Sequence, residues 1–262
     1  MTGIHHCDNV EGLEQVASNS IPMTLTSPPY DDLRDYGGHS WDFEAVAAHL
    51  YRVTKPGGVV CWQVQDVITK KGFRTGTSFR QVVHLMTLGF RLWETIVCET
   101  RDYRLSCQRR YCPTHQFVFV LSKGRPMTVN VLKDRPNKYA GRVVADRHRR
   151  GRDGRLVYGH TPQPIADFGK RGTIWSYPGG RKAVDPEARQ HMAPMSEALA
   201  RDLIYSFSAP LDVVLDPFGG VGTTAKMSLL TRRNWLSFEV HGEYVKLALA
   251  RLRRAKRSLW TT

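Results

Sequence analysis

Val213-Val214-Leu215-Asp216-Pro217-Phe218-Gly219-Gly220-Val221-Gly222-Thr223-Thr224 is the stretch on which the reading of the fold turns. Its apolar start, Val213 to Leu215, suits a buried strand, and helical spacing resumes at Thr223 and runs to Thr231. Between them Gly219, Gly220 and Gly222 let the backbone turn sharply and approach a ligand closely. The N–H groups that open the next helix can receive a carboxylate or another anion. Open α/β sheets bind ligands at this place, outside the carboxyl end of a strand. A following strand, Trp235 to Val240, carries Glu239 to a position 20 residues beyond Gly219, where an acid holds ribose hydroxyls in nucleotide-type folds. Two details argue against a phosphate-binding loop: there is no Gly-Lys-Ser/Thr, and Asp216 would repel phosphate. A plain strand-to-helix turn explains the glycines but neither Asp216 nor Glu239.

Working outward, Ser196 caps a helix from Glu197 to Phe207 with an apolar stripe at Leu199, Leu203, Ile204 and Phe207. A last helix runs from Glu243 to about Arg257. The first hundred residues alternate in the same way. Helices are expected over Val10 to Ser18, with Asp8 or Asn9 as cap, over Asp42 to Thr54 and over Phe79 to Leu88. Strands are expected over Ile21 to Leu25, Val59 to Val64 and Phe90 to Cys98, and Asp31 to Ser40 reads as a loop. This predicts an α/β fold, a mostly parallel sheet with helices on both faces. One joint is unusual: the strand at Ile21 runs into Thr26-Ser27-Pro28-Pro29-Tyr30. Two prolines lack N–H groups and fix φ, so the chain makes a stiff corner. Its carbonyls, the Ser27 hydroxyl and the Tyr30 ring can face a ligand, or the corner can simply end the strand.

The charge is located as sharply as the motifs. Of 38 Lys and Arg, 19 fall between Arg101 and Lys182, against five Asp and no Glu, so the whole net charge of +14 sits there. Such a segment suits a nucleic-acid-facing insert, or else a solvated basic face. Only Gln116 to Leu121 reads as a strand within it, and it is expected to be a subdomain of mobile loops without its own core. At 41% hydrophobic, the 262 residues can bury a full core, in one large domain or one plus a subdomain. No apolar run is long enough to span a membrane and no leader pattern opens the chain, so a soluble, unsecreted protein is expected. Five cysteines, an odd number, suit a reducing compartment.

Thr26 to Tyr30 together with Asp216 to Thr224 resemble the motifs of the S-adenosylmethionine-dependent amino-methyltransferases of DNA. The order, catalytic corner first, basic segment next and cofactor loop last, is similar to the β group of that family and covers most of the chain outside Arg101 to Lys182. The resemblance implies a Rossmann-like methyltransferase fold with circularly permuted motif order and a basic target-recognition insert. Residues 1–100 would form the catalytic half, 101–185 the target-recognition region and 186–262 the cofactor half. S-adenosyl-L-methionine would be the cofactor and double-stranded DNA the partner, with a homodimer and a cognate restriction endonuclease left open. In such enzymes the target base is swung out of the duplex. The Pro28 carbonyl and Ser27 hydroxyl would bind its exocyclic amine, Pro29 hold the geometry and Tyr30 stack on the base. Asp8, His191, Pro194, Asp216, Phe218, Gly219, Gly220, Gly222, Thr223, Thr224 and Glu239 would hold the cofactor. Met192 stands where the family commonly has proline after the His. Arg101, Arg104, Arg109, Arg110, Lys133, Arg135, Lys138, Arg142, Arg149 and Arg150 would contact DNA.

The expected activity is methyl transfer to N4 of cytosine, because Ser at the first motif position goes more often with cytosine in this family; N6 of adenine is the alternative. An RNA or protein amide methyltransferase, or an inactive DNA-binding descendant, lies further off. Methylation at carbon 5 is not expected, since the chain has no Pro-Cys pair. No metal is expected: Cys107, Cys112 and His115 are irregularly spaced and lack a fourth ligand. His5, His6 and Cys7 read as a flexible N-terminal segment. The resemblance places the protein in the cytoplasm of a bacterial host, with bacterial and phage origin both open.

Overall fold

The computed structural model describes residues 2–30, 40–100, 111, 113–143, 149–157, 163–178, 183–191 and 194–258. In chain order the first elements are β1 (Gly3–His6), α1 (Asn9–Glu14), β2 (Ile21–Thr26), α2 (Phe43–Val53), β3 (Thr54–Val64), α3 (Thr77–Thr87), β4 (Arg91–Thr100) and β5 (His115–Ser122). Short strands follow: β6 (Arg135–Pro136), β7 (Arg149–Arg150), β8 (Leu156–Val157), β9 (Phe168–Gly169) and β10 (Ile174–Tyr177). The chain closes with α4 (Glu197–Phe207), β11 (Val213–Asp216), α5 (Thr223–Leu230), β12 (Asn234–Glu239) and α6 (Gly242–Ser258).

Among the described residues, eight strands form one sheet in the order β1-β12-β11-β2-β3-β5-β4-β10. The first five are parallel to their neighbours, β5 runs antiparallel between β3 and β4, and β10 is parallel to β4. Parallel strands must be covered on both faces, and their sequences show it: β2 is buried at all six positions. On one side Leu13 of α1, Val46 and Leu50 of α2, and Val82 and Leu85 of α3 join Val60, Trp62 and Val64 of β3. The intervening Val59, Cys61 and Gln63 are buried as well, on the opposite side. Helix α4 packs on α5 and against β2, while α5 packs on α6 and against β11 and β12. The fold is thus the mostly parallel α/β sheet that the alternation predicts.

Three expectations need correction. The N-terminus is not a flexible segment: β1 pairs with β12, with Ile4 opposite Ser237, and Cys7 N donates to Glu239 O at 3.2 Å. Four residues with two histidines carry too little periodicity to be read as a strand. The first helix stops at Glu14 rather than Ser18, because the Arg52 guanidinium takes the Leu13 and Val16 carbonyls, each at 2.7 Å. The segment after Arg101 also holds more sheet than its charge suggests. Both β5 and β10 belong to the main sheet, and β5 is buried from Val118 to Ser122.

The chain divides into two compact units, Met1–Asn130 with Thr173–Thr262, and Val131–Gly172. The second unit is narrower than 101–185. It carries eleven Lys and Arg against four Asp, a net +7. None of its residues whose side chains are described is buried. Two ribbons, β6 with β9 and β7 with β8, build it, and Asn137 Nδ2 donates to Ala166 O at 2.8 Å. The Asp31 to Ser40 loop falls outside the described residues except for Ser40.

Candidate active site

Strands β2 and β11 are parallel neighbours, with Leu215 opposite Thr24, so their carboxyl ends set the Ser27 corner beside the Asp216 loop. A hydrogen-bonded clamp joins the two. Thr26 Oγ1 donates to Asp216 Oδ1 at 2.7 Å, and Thr224 Oγ1 donates to Asp216 Oδ2 at 2.7 Å. The Phe218 N–H adds a third donor at 3.1 Å. Asp216 is only 4% exposed. Burial pushes its carboxyl up, the three donors pull it down, and the Glu239 charge raises it again, to about 6.

The glycine loop folds around a second carboxylate. Gly220 N donates to Glu239 Oε2 at 2.7 Å and His241 N to Oε1 at 2.8 Å, leaving about half the carboxylate's lone-pair sites for other donors. Gly219 N donates to Phe238 O at 2.8 Å, and Gly222 opens α5 with φ +74°. The His191 ring lies over the loop: a Cβ on Gly220 would stand 3.3 Å from its Nε2. It also meets the Tyr244 ring at 4.6 Å between centroids. Thr223 is buried as the first residue of α5. Pro194 is half-buried just ahead of α4, while Met192 and Ala193 lie outside the described residues.

At the corner, Ser27 Oγ and Tyr30 Oη share a hydrogen bond of 2.9 Å, Pro28 is buried and Pro29 half-buried. Tyr30 packs partly against the main core. Asp8 first of all caps α1, accepting from Val10 N at 2.7 Å and Glu11 N at 3.4 Å, worth about 1 kcal/mol. It also lines an open cleft of about 680 Å³, with Asn9 and Val10 on one side and Ser40 to Glu44 on the other. Trp41 of that cleft meets Phe218 edge-on at 4.9 Å, so cleft and loop adjoin. Asp8 through Glu239 are thereby gathered at the carboxyl ends of neighbouring parallel strands.

The basic candidates are spread differently. Lys133, Arg135, Lys138, Arg142 and Arg150 are exposed on the second unit. Arg101, Arg104, Arg109 and Arg110 lie outside the described residues, and of Arg149 only the backbone is described. Cys107 and Cys112 also lie outside them.

Two contributors were missed by sequence reasoning. Thr26 was read as part of the corner without a role, though its place next to Ser27 was a usable signal. The other is an ion cluster behind the glycine loop. The Arg251 guanidinium, fully buried, donates to the Val221 carbonyl, to Asp185 at 3.0 Å and to Glu197 at 2.7 Å. Lys226 bridges the same two acids at 2.8 Å. Hydrogen bonds from these cations hold the Asp185 carboxyl well below the usual carboxylate range despite its burial. No local pattern marks partners 66 positions apart.

The loop also yields a stability prediction. A Cβ on Gly222 would lie 2.8 Å from Ala248 Cβ, on a left-handed backbone. Gly222→Ala should therefore cost ~2–4 kcal/mol. Calorimetry should show the melting temperature falling by about 5–15 °C; an unchanged value would mean that α5 and α6 yield freely.

A parallel sheet with an acid-lined glycine loop beside a polar-Pro-Pro-Tyr corner defines an α/β methyltransferase. Comparison with known proteins narrows this. Residues 21–250 match the family of DNA methylases that act on N6 or N4 amines, and the chain belongs to that family, whose methyl donor is S-adenosyl-L-methionine. It is 44% identical over 243 residues to the orphan methyltransferase M.BamHII of Bacillus amyloliquefaciens, spanning 92% of this chain and 91% of that one. It is 23% identical to the DNA adenine methyltransferase YhdJ of Escherichia coli, over 95% of this chain and 82% of that one. Among solved structures, PvuII DNA methyltransferase, cytosine-N4-specific, superposes with a TM-score of 0.70 at 18% identity, over 97% and 90% of the two chains. The M1.HpyAVI complex with S-adenosylmethionine superposes with a TM-score of 0.60 at 22% identity, over 96% and 100%.

Proposed function

We propose that the protein methylates the exocyclic N4 amine of cytosine at specific sites in duplex DNA, with the target base extruded from the helix. The observation that carries this reading is the Thr26–Asp216–Thr224 clamp, which holds an amine-binding corner and a cofactor loop side by side. The site's chemistry fits the donor. Asp216 is a buried acid whose charged neighbour is another acid, so a cationic ligand would relieve it. Glu239 keeps acceptor capacity for ribose hydroxyls, and the Asp8 to Val10 cleft adjoining Phe218 gives room for the adenosyl part.

S-adenosyl-L-methionine supplies an electrophilic methyl group. An exocyclic amine is a poor nucleophile because its lone pair is delocalised into the ring. The Pro28 carbonyl and Ser27 hydroxyl oxygens would accept hydrogen bonds from the amine and turn its lone pair toward the methyl group. Pro29 keeps both acceptors preorganised, which is where electrostatic catalysis originates. The bond between Tyr30 Oη and Ser27 Oγ gives the hydroxyl one orientation, while the Tyr30 ring offers a face to the base. The exposed cations of residues 131–172 would take the DNA backbone. Asp8, His191, Pro194, Phe218, the loop glycines, Thr223 and Thr224 complete the proposed cofactor site.

N6-methylation of adenine is the second reading. Similarity to a DNA adenine methyltransferase supports it, and Ser27 with the cytosine-N4-specific neighbour supports the first. The deciding test is nucleoside analysis of DNA treated with enzyme and donor. N4-methylcytosine is expected, and N6-methyladenine alone would reverse the choice. Labelled methyl appearing on RNA or protein but not on DNA would overturn both.

A further inference from the structure

Immediately beyond β3, residues 67–75 close into a hairpin that the proposed site does not use. Thr75 N donates to Val67 O at 2.9 Å and Thr69 N to Phe73 O at 2.8 Å, while Gly72 N turns back to Thr69 O at 2.8 Å. The side chains of Thr69 and Thr75 add bonds to Phe73 N and Val67 N, each at 3.2 Å. Gly72 takes φ +84°, the left-handed value such a turn requires. Asp66 fastens the base of the hairpin to α3, accepting from Ser78 N at 2.9 Å and Ser78 Oγ at 3.0 Å. The hairpin is therefore a preorganised projection.

Its tip reads Lys70-Lys71-Gly72-Phe73-Arg74. The two lysines and the arginine are exposed, and Phe73 is 73% exposed. Thr26 pairs with Trp62 of the parallel β3, so the Ser27 corner and the hairpin leave the sheet at the same, carboxyl end of the strands. This is a local excess of positive charge outside the basic insert, at the end where a target base must arrive.

We propose that this hairpin is a second DNA contact, in which Lys70, Lys71 and Arg74 bind phosphates beside the target and Phe73 enters the base stack where the target base leaves it. An aromatic wedge at a disrupted step replaces part of the lost stacking, and flanking cations hold the backbone against it. A solvated basic face has no use for a rigidly presented phenyl ring. An apolar protein-docking face would not surround its one aromatic with three cations. The inference rests on the base-extrusion reading given above.

The test uses the full chain and a duplex carrying its site, mapped by methylation-sensitive sequencing. The target base is either normally paired or mispaired. Mispairing removes much of the extrusion cost. Phe73→Ala should lower kcat/KM at least tenfold on the paired duplex and less than threefold on the mispaired one. Lys70→Ala with Lys71→Ala should weaken DNA binding and flatten the slope of log affinity against log salt by about 2. Equal losses on both duplexes, or none, would overturn the wedge. An unchanged salt slope would overturn the phosphate contacts. Failure of the amine-transfer reading looks different: the wild-type chain would then methylate neither cytosine nor adenine, and the hairpin proposal would fall with it.

Discussion

Asp216→Asn should weaken S-adenosyl-L-methionine binding roughly a hundredfold while leaving the apo-protein folded, with calorimetric titration as the measurement. The size of the effect follows from removing one charge from the buried ion pair that the proposed function places between Asp216 and the donor. The fold should survive because Thr26 and Phe218 donate to the same oxygen, which the variant amide keeps, while the Thr224 hydroxyl can accept from the new NH2 and turn its own hydrogen toward Leu25 O. The pH dependence has a definite sign. In the folded chain the Asp216 carboxyl is raised from 3.8 to about 6, chiefly by burial. Between those values the folded state binds a proton that the unfolded state does not, so this group favours folding on the acid side. That contribution is lost as pH rises through about 6. The melting temperature of Asp216→Asn relative to wild type should therefore be higher at pH 8 than at pH 5. Donor affinity runs the other way, since the ionised form attracts a cation. It should be about tenfold weaker at pH 5 than at pH 8 in the wild type and flat in the variant. A variant that bound the donor normally would remove Asp216 from the site.

Ser27→Ala should lower kcat by roughly a hundredfold or more, the usual scale for one preorganised hydrogen-bonding group. DNA affinity should stay within about twofold, because in the proposed mechanism the hydroxyl acts on the amine and not on the DNA backbone. Its bond to Tyr30 Oη predicts a graded companion. Tyr30→Phe keeps the ring and removes only the group that orients Ser27, so its kcat should fall less than that of Ser27→Ala. Single-turnover methylation with filter binding separates the terms. Equal loss of turnover and affinity in Ser27→Ala would make the serine a DNA contact instead.

Much of the sheet could be read in the sequence because parallel strands and amphipathic helices impose their periods locally. Ile21 to Thr26 and Val213 to Asp216 are such cases. What escaped depends on partners far away in the chain. The strand Gly3 to His6 exists because β12 offers it an edge, and the strand Ile174 to Tyr177 because β4 does. Neither carries enough alternation to announce itself. At the site, the motif residues Asp216, Gly219, Gly220, Gly222 and Glu239 were legible from type and spacing. The bonds that lock them were not: Thr26 reaches Asp216 across 190 positions and Arg251 reaches Asp185 across 66. Hydrogen bonding of that range leaves no periodic trace.

The pairing of β2 with both β3 and β11 has a consequence during synthesis. Strand β2 is complete at Thr26, and β3 can cover one of its edges early, but the residues of β11 begin only at Val213. At translation rates of roughly 5–20 residues per second, the other edge of a strand that ends buried at every position waits about 10–40 s for its partner. A nascent chain with an open, fully buriable edge is a template for intermolecular pairing. Yield in a heterologous host should thus depend on elongation speed and on chaperone supply before residue 213, even though the finished sheet leaves β2 no edge at all.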